Sequence, residues 1–340
     1  MSSHELGLDQ WRTLARQVEK SVGLAVVGQE RVIRLVNIAI FARGHVLLQG
    51  DVGVGKTTLL RAFAQVIGGA FARIEGSIDL LPNDFIYYTH IGAEGRPMVD
   101  PGPLLAHGEA LSVFFFNEIN RARPQVHSLL LRVMAERSVS AFNREHRLSN
   151  MLVFADRNRV EREETFDISA AARDRFMMEI AIDPPLDDAL RRELAFAPRF
   201  HDVDALIAQL PAAILPYQEL NAVAAQIQQC TLASDALQQY ALDLWRATGD
   251  PQHFGIRVDD VDMDRLMLAG ASPRGMSMLL RAARVAAWLQ DRAFVTPEDV
   301  QSVFAETVGH RLCLQPVYEL RRAEITAQLL QCIVERVAAP

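Results

Sequence analysis

The octapeptide Gly50-Asp51-Val52-Gly53-Val54-Gly55-Lys56-Thr57 constrains this chain more than any other stretch. Its spacing, G-x-x-x-x-G-K-T, is that of a loop whose backbone N–H groups wrap a phosphate. Gly50, Gly53 and Gly55 open backbone conformations that residues with a Cβ avoid, so successive N–H groups can turn toward an anion. Lys56 is long enough to reach β- and γ-phosphates, and the Thr57 hydroxyl can ligate Mg²⁺. Such a loop needs a strand before it and a helix after it. His45-Val46-Leu47-Leu48-Gln49 reads as a buried strand, and the run from Thr58 to Val66 carries helical periodicity. That helix would aim its N-terminal dipole at the phosphates. The expected ligand is a nucleoside triphosphate with Mg²⁺, held by Gly50, Asp51, Val52, Gly53, Val54, Gly55, Lys56, Thr57 and Thr58.

The bulk of the chain narrows the alternatives. Its 340 residues suffice for two domains, or for one large α/β unit with an appendage, and half of them are hydrophobic. The formal charge of −7 argues against non-specific nucleic-acid binding as a main role. Cys230, Cys313 and Cys332 show no C-x-x-C or zinc spacing and read as buried free thiols in a reducing compartment. Leu6 to Val22 mixes apolar residues with Asp9, Arg12, Arg16, Glu19 and Lys20 in a helical pattern, unlike a signal peptide. The apolar run Val113-Phe114-Phe115-Phe116 is far too short to span a bilayer. A soluble, cytoplasmic protein with no membrane segment is expected.

From about Val26 to Ile182, short β-type runs alternate with helical patterns, which predicts a parallel sheet with covering helices. The candidate strands are 45–49, 72–76, 112–116, 151–155 and 176–182. Asp183-Pro184-Pro185 stops the last of them, because proline cannot donate to a sheet ladder. Beyond Leu186 only helical patterns are predicted. The expected division is an N-terminal helix over 1–23, an α/β nucleotide-binding core over 24–185 and an all-helical domain over 186–340.

Val113-Phe114-Phe115-Phe116-Asn117-Glu118 is an apolar strand that ends in two polar residues. It would deliver them to the carboxyl edge of the sheet, where ligands bind in open α/β folds. Glu118 is placed to act as general base toward an attacking water. Asn117 is anomalous, because an aspartate there would support Mg²⁺ with its charge. An amide keeps an acceptor oxygen and loses the charge, so Asn117 is expected to hold Mg²⁺ only indirectly and weakly.

Glu118-Ile119-Asn120-Arg121-Ala122 resembles the D-E-I-N-R-A signature of MoxR-type AAA+ ATPases, with the aspartate changed. Val27-Gly28-Gln29-Glu30, Gly44-His45-Val46-Leu47-Leu48, Asp79-Leu80-Leu81-Pro82-Asn83-Asp84, Ser272-Pro273-Arg274 and Val295-Thr296-Pro297-Glu298-Asp299-Val300 resemble further motifs of that family in the same order. The resemblance implies an AAA+ P-loop NTPase core followed by a helical lid domain, with ATP as the nucleotide and Val27 and Gly28 near its adenine. It implies that Asn158 is a polar sensor of the γ-phosphate, the alternative being a loop asparagine in a turn. Arg175, in Asp174-Arg175-Phe176, would be an arginine finger reaching a neighbouring subunit's site, with Arg173 a competitor for that role. Arg274 would be a second sensor, or else a solvated arginine at a helix start. Val52 stands where the family has proline, and Ala155-Asp156-Arg157-Asn158-Arg159 replaces its A-T-Q-N-P. The segment Arg132 to Asn150 would carry a hairpin facing a ring pore, or simply an exposed charged hairpin.

By the same resemblance the chain would work as a homo-hexamer with a von Willebrand factor A domain partner, remodelling a protein substrate such as a metalloenzyme. A nucleotide-gated scaffold with slow hydrolysis is the second reading, kept open by Asn117. A DNA-directed ATPase is the third, and the acidic balance counts against it.

Overall fold

The computed structural model describes residues 6–159 and 165–340. It divides into two compact units, one running to Arg175 and resuming over Ile180–Asn221, the other made of Phe176–Glu179 and Ala222–Pro340.

The strands before residue 222 are, in chain order, β1 (Val46–Gln49), β2 (Ala70–Glu75), β3 (Tyr87–Ile91), β4 (Pro97–Pro101), β5 (Leu111–Asn117), β6 (Ser138–Ala141), β7 (Arg144–Arg147), β8 (Leu152–Arg157) and β9 (Met178–Ala181). Five of them form one sheet in the order β2-β5-β8-β1-β9. The pairs β2–β5, β5–β8 and β8–β1 are parallel. Phe114, Phe115 and Phe116 are all fully buried, which is why β5 reads as a continuous apolar run rather than an alternating one. The expected strands over 45–49, 72–76, 112–116, 151–155 and 176–182 each have their counterpart, shifted by one or two residues at the ends.

Helices α1 (Leu8–Ala25), α2 (Glu30–Phe41), α3 (Lys56–Ile67) and α4 (Pro124–Glu136) accompany the sheet. α1 packs on α2 and α3. Trp11 meets Phe41 edge to face at 6.3 Å, and buried Asn37 donates to the Ala15 carbonyl at 3.1 Å and to Glu19 at 2.8 Å. Leu8 starts the helix expected over 1–23, and the first five residues of that expectation lie outside the described ones.

Short helices α5 (Ala170–Arg173), α6 (Asp188–Phe196) and α7 (Val203–Ala208) follow. The first unit runs past residue 185, because the N–H groups of Ala213 and Ile214 bond to the carbonyls of Gln65 and Val66 at the end of α3.

The second unit contains the remainder of α8 (Leu220–Cys230), α9 (Asp235–Gly249), α10 (Pro273–Leu289), α11 (Pro297–Val308) and α12 (Arg322–Arg336). It also holds β10 (Met267–Ala269) and β11 (Cys313–Leu314), an antiparallel pair where only helices were expected. Strands of three and two residues leave no readable periodicity. The exposed hairpin β3–β4 was not foreseen either, since a two-stranded ribbon with little burial carries no alternating apolar face. The Val295–Val300 motif is a helix cap. Thr296 and Asp299 form a capping box at α11, and Asp299, 1% exposed, also takes both Arg292 nitrogens at 2.6 and 2.7 Å.

Among the described residues no helix is long and apolar enough to cross a membrane. The three cysteines are free, but Cys230 is exposed and Cys313 and Cys332 half-buried, so the expectation of buried thiols is corrected.

Candidate nucleotide site

The loop between β1 and α3 has the geometry its sequence requires, with one difference of cause. Gly53 and Gly55 have φ of 81° and 91°, conformations that L side chains avoid. Gly50 is needed for proximity instead, since a Cβ there would lie 2.5 Å from the Ile182 carbonyl oxygen. Gly55 is the N-cap of α3, so the first-turn N–H groups and the positive end of the helix dipole open onto the loop. Val52 is exposed, in keeping with a loop that lacks the stiffening proline. Thr57 and Thr58 stand in the first turn, half-buried.

Lys56 is buried. Its Nζ donates to the carbonyls of Gly50 and Asp51, both at 2.8 Å, and to Asn158 Oδ1 at 2.7 Å. Asn158 in turn donates from Nδ2 to Glu118 Oε1 at 3.2 Å. The other Glu118 oxygen accepts from Arg121 at 2.9 Å. Three residues separated by up to 102 positions therefore form one hydrogen-bonded line from the phosphate loop to the end of β5.

Glu118 has φ 52° and ψ 50°, a left-handed conformation that is uncommon for a residue with a side chain and clusters at functional sites. Its backbone N–H donates to Asp156 Oδ1 at 2.7 Å. Asp156 is buried, and Lys56 Nζ lies 3.9 Å from its Oδ2. Burial pushes the Asp156 carboxyl up to about 6, against the Glu118 N–H and the Lys56 charge, which pull it down.

Asn117 does not stand alone at the strand end. With its amide oriented to suit its neighbours, Nδ2 donates to Asp156 Oδ1 at 3.1 Å and Oδ1 accepts from Arg73 at 3.3 Å. Asp156 and Arg73 were missed from the sequence as site residues. The signal for Asp156 was present, as a carboxylate in place of the usual threonine, but its meaning depends on which strand lies beside β5.

Gly28 has φ 71°, and a Cβ there would come within 2.9 Å of Leu190 and 3.0 Å of Pro185. Gln29 donates to the Asp183 carbonyl at 2.6 Å, fixing the Val27–Gln29 turn on the segment after β9. Arg175 is half-buried, and one of its terminal nitrogens donates to the Ala171 carbonyl at 3.4 Å. Arg274 belongs to the second unit, exposed in the first turn of α10, where the Ser272 hydroxyl caps Gly275 N–H at 3.0 Å. The expected hairpin is β6–β7, turning through Phe142 and Asn143 at φ 52° and 59°. Arg137 is not one of its exposed charges. It donates to Ser149 O, Asn221 Oδ1 and Arg43 O at 3.0–3.2 Å and closes the base of the hairpin.

Beside Lys56 stand two hard oxygen ligands, the hydroxyl of the adjacent Thr57 and the Asp156 carboxylate at 3.9 Å. That set suits a hard cation such as Mg²⁺ brought in with phosphates. Among the described residues no cluster of three His, Cys, Asp or Glu side chains could hold a metal by itself.

Residues 45–178 match the ATPase family associated with various cellular activities (AAA), and residues 264–330 match the AAA lid domain. The chain is 57% identical over 333 residues to protein MoxR of Methylorubrum extorquens, covering 98% of this chain and 97% of the relative. It is 53% identical to protein MoxR of Paracoccus denitrificans, with 98% of both chains covered. Chaperone MoxR1 of Mycobacterium tuberculosis is 33% identical, over 93% of this chain and 79% of its own. A crystal structure from Cytophaga hutchinsonii superposes with a TM-score of 0.83 at 30% identity, covering 98% and 97% of the two chains. A phosphate loop, a strand-end glutamate and near-complete alignment with these relatives lead to one conclusion: the chain is an ATP-hydrolysing member of the MoxR family of AAA+ ATPases.

Proposed function

We propose that the chain is a ring-forming remodeller of proteins, driven by Mg²⁺–ATP in the cytoplasm. The observation that carries this reading is the line from Lys56 through Asn158 to Glu118, which couples the phosphate loop to the general base. In this reading Glu118 takes the proton from the attacking water, Asn158 reports the γ-phosphate and Lys56 neutralises the β- and γ-phosphates. Thr57, with Asn117 behind it, would hold Mg²⁺, which offsets charge on the transferring phosphoryl group. Val27 and Gly28 would line the adenine, and Arg274 would carry the nucleotide state to the lid.

Arg175 supports the ring. This arginine is half-buried and bonds the Ala171 carbonyl of α5 through a long 3.4 Å contact, which a neighbouring subunit's phosphates could replace. The assembly we propose, by likeness to the MoxR-type family, is a homo-hexamer working with a partner that carries a von Willebrand factor A domain. The chaperone name of the mycobacterial relative supports a protein substrate; a metalloenzyme awaiting activation is the substrate class we favour.

Mixing two inactive proteins tests the shared site. Arg175→Ala keeps its own Glu118, and Glu118→Gln keeps its own Arg175, so mixed rings contain some complete sites. Recovery of ATPase activity on mixing is the expected result. If the mixture stays inactive while both variants assemble and bind ATP, the trans arginine is wrong. The second reading, a slow nucleotide-gated scaffold, draws on Asn117. It gains ground if turnover stays slow with and without a co-purifying partner.

A further inference from the structure

The end of β5 lacks the negative charge expected of it, and the strand beside it supplies one. β5 and β8 are parallel neighbours with Phe116 opposite Ala155, so the next residues along, Asn117 and Asp156, face each other across the ladder. Their side chains touch: the Asn117 amide donates to Asp156 Oδ1 at 3.1 Å. We propose that Asp156 supplies the charge toward the nucleotide-bound Mg²⁺ that Asn117 cannot, so that the carboxylate has been moved one strand over and not lost. This rests on the Mg²⁺–ATP reading above.

Three observations favour an electrostatic role over a merely structural one. Asp156 is 2% exposed, and a buried carboxylate is costly unless its charge is used or balanced. Its Oδ1 is occupied by the Glu118 and Asn117 donors, whereas Oδ2 faces the Lys56 ammonium at 3.9 Å, beyond hydrogen-bond length. That oxygen lies beside the lysine of the phosphate loop and has capacity to accept from a hydrated cation. Finally, the two positions exclude each other as carboxylates. An aspartate at 117 would put a second negative charge about 3 Å from the first, and one of the pair would be forced to take up a proton. The amide at 117 is therefore the partner that a carboxylate at 156 requires. Asp156 acts as a positioning residue, through charge on the metal's water shell and through the Glu118 N–H.

The test is Mn²⁺ binding, followed by electron paramagnetic resonance on the full chain saturated with ADP, beside ADP affinity measured without metal. Asp156→Asn keeps an oxygen for the Glu118 N–H and removes the charge together with the Oδ2 acceptor. It should weaken Mn²⁺ about tenfold, as losses around a metal's ligands do, with metal-free ADP affinity held. The exchange variant, Asn117→Asp with Asp156→Asn, should return Mn²⁺ affinity to within about threefold of wild type. Wild-type Mn²⁺ affinity in Asp156→Asn, or no recovery in the exchange variant, overturns the proposal and leaves the Mg²⁺–ATP reading standing. Should wild type itself bind no Mn²⁺ with ADP, that reading falls and takes the proposal with it. Were Asp156→Asn not to fold, the exchange variant decides alone: affinity near wild type supports the moved carboxylate, and a tenfold deficit overturns it.

Discussion

Asp156 Oδ1 accepts the backbone N–H of Glu118 at 2.7 Å, and that bond ties a left-handed residue at the end of β5 to the strand beside it. A non-glycine residue in that region costs about 1–3 kcal/mol, so it persists only where its surroundings hold it. Here the restraint comes from a side chain whose own ionisation is strained by burial.

That strain predicts a pH dependence for the nucleotide-free protein. The folded state holds the Asp156 proton more tightly than the unfolded chain, its carboxyl rising from 3.8 to about 6. The contribution is full below pH ~4 and is lost as pH rises through ~6, a change of about 3 kcal/mol. Denaturant unfolding in EDTA should therefore show Asp156→Asn more stable than wild type at pH 7.5, with the gap closing near pH 4.5. A gap that is the same at both values would contradict the assignment.

Glu118→Gln should lower kcat by about 10²–10⁴ while ATP affinity stays within severalfold of wild type, since only the proton acceptor is removed. Steady-state hydrolysis and equilibrium binding of a fluorescent ATP analogue separate the two effects. A parallel loss of binding would make Glu118 a ligand-holding residue instead.

Asn158→Ala cuts the line between Lys56 and Glu118 in the middle. We expect kcat to drop about 10–100-fold with KM changed by less than about threefold, the pattern of an interaction made chiefly in the transition state. An increase confined to KM would assign Asn158 to ground-state binding.

Asp299→Ala removes a cap and leaves Arg292 without its carboxylate. The cost should be about 2–3 kcal/mol, because two mechanisms, capping and a largely buried ion pair, are lost together. Thermal unfolding checks this, and ATPase activity per folded molecule should be unchanged at low temperature. An unaltered melting curve would remove the motif from the stabilising features of the second unit.

The phosphate loop and the order of the strands along the chain were legible because each is local: glycine spacing and an apolar run are written within about ten residues. The hairpin within 132–150 was expected only through family likeness. The place of Asn158 was legible only through family likeness, since nothing near it in sequence announces Lys56. Asp156 could be seen as a departure but not understood. Its role depends on β8 lying between β5 and β1, a fact of sheet order that sequence neighbours do not encode. Gly50 taught a similar lesson: its need arises from Ile182, which is distant in the chain. The strands β10 and β11 escaped because a pairing of two or three residues is decided by what packs around it.

An ammonium group has three hydrogens, and those of Lys56 find three acceptors: two loop carbonyls and the Asn158 amide oxygen. A phosphate that claims Lys56 must displace at least one of them. If it displaces Asn158, the Lys56–Asn158 bond is exchanged for one to the phosphate, and Glu118, still held by the Asn158 amide, loses its link to the loop in the same event. Arrival of ATP would then be registered as a change of partners inside the subunit before any bond in the nucleotide breaks.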